Sequence, residues 1–147
     1  MRVHRFALLA VVLFAMRTPC FAHHMAVVVN QGNPVAALSS TQLAKIFRSE
    51  TTTWPDGSPI LIVAHTNSAG ESETLEKLMK MKAGEWSALK AAHREFIKTA
   101  NTDADILKIV QSSPGAVGLI EVHSIDSTIK VVRIDGKLPM EVGYLPH

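Results

Sequence analysis

Short aliphatic runs alternate with amphipathic stretches along this chain, and the alternation predicts its elements. Ala26-Val27-Val28-Val29-Asn30 carries three β-branched residues and stops at Gln31-Gly32-Asn33-Pro34, so it reads as a buried strand and its turn. Ser39, with Gln42 three residues on and Leu38 and Leu43 flanking, forms a capping box with a hydrophobic staple that opens a helix to about Phe47. Trp54-Pro55-Asp56-Gly57-Ser58-Pro59 has turn chemistry, and Ile60 to Ala64 is a second buried strand. The polar loop His65 to Gly70 then opens a helix from about Glu71 to Met81, acidic early and basic late as the helix dipole favours, with Gly84 as its stop. Trp86, Leu89, His93, Phe96 and Ile97 fall on one stripe of a further helix. Thr102 caps another, with Ile106, Ile109 and Val110 inward, broken at Ser113-Pro114-Gly115. Ala116 to Ile120 and Ile129 to Ile134 are the last strands. Strands alternating with helices predict an α/β domain with a largely parallel sheet.

The amino-terminal region follows a different rule. Arg2 and Arg5 precede the apolar stretch Phe6 to Met16, and small residues sit three and one before a cut after Ala22. Those are the parts of a signal peptide in order, so residues 1–22 are expected to be a removable leader and 23–147 the working domain. The apolar stretch is far short of the roughly 20 residues that span a bilayer, so the mature chain is expected to be periplasmic or secreted and not membrane-embedded. Cys20 lacks the neighbours of a lipidation site.

Cleavage changes the charge. Of 15 basic and 13 acidic residues, Arg2, Arg5 and Arg17 leave with the leader, so the mature part is slightly acidic. It has no concentrated basic surface for nucleic acid. The only cysteine leaves too, which removes disulfide and thiol chemistry.

Candidate chemistry centres on the loop after the second strand. Ligands of open α/β sheets bind beyond the carboxyl ends of strands, and a helix N-terminus there offers free N–H groups to an anion. His65, Asn67, Ser68, Gly70 and Ser72 are the candidate ligand-binding residues, although Asn67 or Ser68 as a plain helix cap explains the same pattern. A mature end of His23-His24-Met25 could chelate copper or nickel, but the ordinary reading is a flexible tail, and no metal or cofactor is expected. Ser68 lies outside any nucleophile elbow, and Asp103 with Asp105 reads as helix-start chemistry, so no catalytic residue is assigned and the chain is not expected to be an enzyme. Trp54 and Trp86 read as core anchors, and Gly115 and Gly118 as turn and packing glycines.

Nearly the whole mature chain resembles the substrate-binding proteins of phosphate ABC transporters and their small relatives with a periplasmic-binding-protein-like domain. The resemblance runs through Val27-Val28-Val29-Asn30 with Asn33-Pro34, Leu38-Ser39 into Leu43-Ala44-Lys45-Ile46-Phe47, and Thr53-Trp54-Pro55-Asp56-Gly57-Ser58. It continues through Ser113-Pro114-Gly115-Ala116-Val117-Gly118-Leu119 to Ile134-Asp135-Gly136-Lys137 and Gly143-Tyr144. It implies a single lobe of the type II periplasmic-binding-protein kind, with a mixed, mostly parallel sheet flanked by helices. It also implies capture of a small anionic solute such as phosphate, and a transporter or envelope protein as partner. Full-length members are about twice as long, and this stretch resembles their second lobe plus the crossing strand. Their phosphate loop has an arginine followed by Ser-Gly-Thr, where this chain has His65 and Ala69-Gly70-Glu71. Glu71 is thus expected either to repel a phosphate or to satisfy the helix dipole. The alternative function is a single-lobe envelope interaction module that has lost solute binding.

Overall fold

A computed structural model describes residues 23–147. The expected leader over 1–22 lies outside the described residues. The chain runs β1 (Met25–Asn30), β2 (Ala37–Leu38), α1 (Ser40–Phe47), β3 (Leu61–His65), α2 (Ala69–Met79), α3 (Glu85–Ala92), β4 (Ile97–Ala100), α4 (Asp103–Ser112) and β5 (Ala116–Glu121), then a short 3-10 turn (Val122–Ser124), β6 (Ile129–Val131) and β7 (Arg133–Ile134). Five strands form one sheet in the order β4-β3-β5-β1-β6. β3 is parallel to β4 and β5, whereas β1 runs antiparallel to β5 and β6. β2 and β7 form a separate parallel pair. The sheet is mixed, as expected.

The continuous aliphatic runs follow from coverage of both sheet faces. Val27, Val29, Ile62, Ala64, Val117 and Leu119 point into the larger core, with Leu43 and Phe47 of α1, Leu75 of α2 and Trp86 of α3. The alternate positions Val28, Val63, Ala116 and Ile120 point the other way, onto Ile106 and Val110 of α4. Three helices therefore cover one face and one covers the other. Tyr144 pins the C-terminal segment to this core: its Oη accepts from Val27 N at 3.1 Å and donates to Val132 O at 2.7 Å.

Local signals fixed several joints. The Ser39 capping box is present, with Gln42 N donating to Ser39 Oγ at 3.1 Å and Ser39 N to Gln42 Oε1 at 2.8 Å. A side chain at Gly115 would put its Cβ 2.1 Å from the Pro59 carbonyl, so only glycine fits where Trp54 Nε1 donates to Gly115 O. Trp54 and Trp86 are both buried.

Three expectations give way. The helix stripe ending in Phe96 and Ile97 is broken, because α3 ends at Ala92 and Ile97–Ala100 is an edge strand beside β3. The four-residue strand is too short to show its own period, and its apolar residues continue the 3.6-residue spacing by chance. Gly84 does not stop α2: Lys80 closes that helix in the left-handed region (φ 55°), and Gly84 (φ 87°) opens α3. The last predicted strand is two, since Ile129–Val131 pairs with β1 and Arg133–Ile134 with β2. Among the described residues no helix is long and apolar enough to cross a membrane.

Candidate functional site

The parallel strands β3 and β4 end side by side, and each hands over to a helix on its own face of the sheet. The N-termini of α2 and α4 therefore meet beyond the carboxyl edge of the sheet. Between them lies a pocket of about 460 Å³ lined by residues of the β3–α2 and β4–α4 loops and by residues near the end of β5. Ser68 caps α2, its Oγ accepting from Glu71 N at 3.2 Å, and Thr102 caps α4 by accepting from Asp105 N at 3.2 Å. The first turns of two helices thus direct unpaired N–H groups and two positive dipole ends at one space.

Beneath the pocket is a buried charged cluster. His65 Nδ1 lies 2.6 Å from Glu71 Oε2, and His65 Nε2 lies 2.7 Å from Asp103 Oδ1. Glu71, only 1% exposed, also accepts from His65 N at 2.9 Å and from Trp86 Nε1 at 3.1 Å. The second oxygen of Asp103 accepts from Glu121 N at 3.1 Å and Ser124 Oγ at 2.6 Å. Lys90 of α3 donates to the His65 carbonyl at 2.7 Å. Burial disfavours charge on the His65 ring, but the hydrogen bonds from it to Asp103 and Glu71 outweigh burial and raise it to about 9. Burial likewise pushes Asp103 up, but the bonds from His65, Ser124 and Glu121 N–H hold it below its usual range.

Of the residues expected at the site, His65, Asn67, Ser68 and Gly70 line the pocket together, while Ser72 does not. His65 lines it with both ring nitrogens already engaged by carboxylates. Gly70 lies under the His23 ring, whose Cβ would be 2.8 Å from a Cβ placed at Gly70. Glu71, expected either to repel a phosphate or to satisfy the helix dipole, stays in the first turn of α2 but turns its carboxylate inward to His65 and Trp86, and it does not line the pocket. Asp105 is helix-start chemistry as read, sharing a hydrogen bond with Thr102 Oγ1 at 3.0 Å, but Asp103 is drawn down to His65 instead.

Sequence reasoning missed the second wall, made of Asn101, Thr102, Asp103, Glu121 and His123. Its one legible signal was Thr102 as a helix cap; the pairing of that loop with the one after β3 depends on the unforeseen strand β4. At the rim, the two oxygens of Glu121 are each 3.1 Å from a histidine Nδ1, of His23 and of His123. Among the described residues no group of three or more His, Cys, Asp or Glu side chains is arranged to hold a metal.

Comparisons with known proteins point one way. The fold is similar to an ABC-type phosphate transport receptor from Vibrio cholerae, with a TM-score of 0.65 and 25% identity over 79% of this chain and 48% of that one. It is similar to PstS from Borrelia burgdorferi, with a TM-score of 0.63 and 16% identity over 79% and 49%. It is also similar to a phosphate-binding protein from Stenotrophomonas maltophilia, with a TM-score of 0.63 and 20% identity over 80% and 40%. The chain spans less than half the length of these structures. No curated protein matches it. Residues 14–142 match the family described as the PBP superfamily domain. With the match reaching over most of its length and the solved neighbours sharing its fold, the chain belongs to the PBP superfamily.

Proposed function

We propose that this chain is an exported solute-binding domain that takes a small anion, phosphate or another oxyanion, in the pocket between the N-termini of α2 and α4. The observation that carries the reading is the convergence of two capped helix N-termini beyond the carboxyl ends of adjacent parallel strands, where their N–H groups and dipoles favour negative charge. Asn67, Ser68, Asn101 and Thr102 add neutral donors around it. The proteins of similar fold are named for phosphate, which puts that anion first among the candidates. Among the described residues no arginine lines this pocket, and the carboxylates of Asp103 and Glu121 stand in its wall, so weak binding is expected from this chain alone. On this reading the chain works outside the inner membrane, periplasmic or secreted, with an ABC transporter or another envelope protein as partner.

The test is a thermal-shift screen of phosphate, sulfate, other oxyanions and small carboxylates. A ligand that binds only the folded chain raises its melting temperature, and the rise grows with the logarithm of its concentration over Kd. A rise with at least one of these anions, lost on changing Ser68 and Asn67 to Ala, supports the proposal. No rise at millimolar concentration removes solute binding by the isolated chain.

One observation favours the second reading, a single lobe that serves as an envelope interaction module. His65 stands where the resembling family has its arginine, and both of its ring nitrogens are taken by carboxylates of this chain. A silent anion screen together with a specific crosslink to one envelope protein would select it.

A further inference from the structure

The His65 side chain touches the first turns of both helices that wall the pocket. Its ring spans from Glu71 of α2, at 2.6 Å, to Asp103 of α4, at 2.7 Å. The two helices lie on opposite faces of the sheet, so this ring passes the end of β3 to join them. We infer that His65 is the positioning residue of the pocket: as a doubly protonated ring it bridges the first turns of α2 and α4 and sets the gap between their N-termini. The inference rests on the proposed use of that pocket, but the bridge itself is testable without any solute.

Hydrogen-bond counting supports it. Every polar contact of the Glu71 carboxylate is to a nitrogen that carries or can carry a proton: His65 N, His65 Nδ1 and Trp86 Nε1. Asp103 Oδ1 has His65 Nε2 as its partner, while Oδ2 is occupied by Glu121 N and Ser124 Oγ. An imidazolium donates from both nitrogens; a neutral imidazole donates from one and turns a lone pair on the other carboxylate. Only the charged ring satisfies both bridges.

The charged groups around the ring come from every element that packs on it. Glu71 lies on α2, Asp103 on α4, and Lys90 of α3 bonds the His65 carbonyl. Glu121 closes β5 and approaches through its N–H to Asp103, while His23 and His123 stand across the pocket on the Glu121 carboxylate. The two carboxylates in direct contact favour the charged ring. When the proton leaves, the two bridges part unequally. Glu71 is sealed in the core and keeps the remaining N–H, whereas the Asp103 side chain is 19% exposed and gains water in exchange. The α4 wall is therefore the one that is released.

Imidazole 1H–15N correlation spectra of the purified chain test this directly. At pH 7 both ring nitrogens of His65 should show imidazolium shifts, and on titration above pH 9 the amides of Gly70 and Thr102 should move with the ring at a shared midpoint. Asp103→Asn should lower that midpoint by about 1 pH unit or more, since an opposite charge in contact is worth 1 to 3. A neutral ring at pH 7, a Thr102 amide that ignores the ring's titration, or an unchanged midpoint in Asp103→Asn would each overturn the bridge. A chain that binds none of the screened anions yet shows the shared midpoint keeps the bridge and loses only the solute reading.

Discussion

The two ends of the sheet bury their residues by opposite means. Around β1, Val27, Val28 and Val29 are fully buried against Leu119, Ile120 and Val132, all of them aliphatic. At the carboxyl end of β3, Glu71, His65 and Lys90 are almost as deeply buried, with Asp103 half-buried beside them, and each has a hydrogen-bonded partner. Aliphatic packing depends on volume and accepts many sequences of similar size. A buried charge cluster depends on every member, because losing one leaves the rest unpaired in a low-dielectric space. The first end builds the lobe, and the second sets the shape of the pocket above it.

The largest expected effect breaks the charged end. Glu71→Ala leaves His65 and Trp86 Nε1 without their acceptor and should cost about 3–5 kcal/mol, read from urea unfolding midpoints. A loss below about 1 kcal/mol would mean that the cluster contributes little. The apolar end should respond to volume alone: Leu119→Ala is expected to cost roughly 2–5 kcal/mol and Leu119→Met under about 1.5. Equal costs for the two would show that β5 is less tightly packed than its full burial implies.

The same contrast decides what the sequence disclosed. Aliphatic runs announced β1, β3 and β5, because a strand covered on both faces must be apolar at every position. Cap chemistry announced α1 at Ser39 and α4 at Thr102. The charged end was hidden for a physical reason. Polar residues next to a helix start look alike whether they cap, bind or turn inward, and Glu71 satisfies the rule for a first-turn acid while its side chain goes elsewhere. The other carboxylate on His65, that of Asp103, is 38 residues away in sequence, and the pairing of β4 with β3 brings the two together. Four of the five expected site residues line one pocket, but the opposite wall needed the topology.

Smaller changes sharpen the comparison. Ser68→Ala removes the α2 cap and should cost about 1 kcal/mol, while also weakening any anion-induced thermal shift. A lost cap with an intact shift would make Ser68 purely structural. The smallest perturbation is a proton. His65 is raised from 6.5 to about 9 in the folded chain, so its ring contributes stability that is fully present below about pH 6.5, declines above it, and is gone beyond pH 9. Denaturation midpoints measured from pH 6 to 10 should fall across that window, and the fall should vanish in a His65→Gln chain. A flat profile in the parent chain would contradict a charged His65.

Solute capture between α2 and α4 is tested most directly by a backbone 1H–15N titration with inorganic phosphate. Saturable shifts centred on the amides of Ala69, Gly70, Asn101 and Thr102, shared by the two walls, are the predicted result. No saturable shift at those amides with phosphate, sulfate or a small carboxylate at millimolar concentration would contradict it.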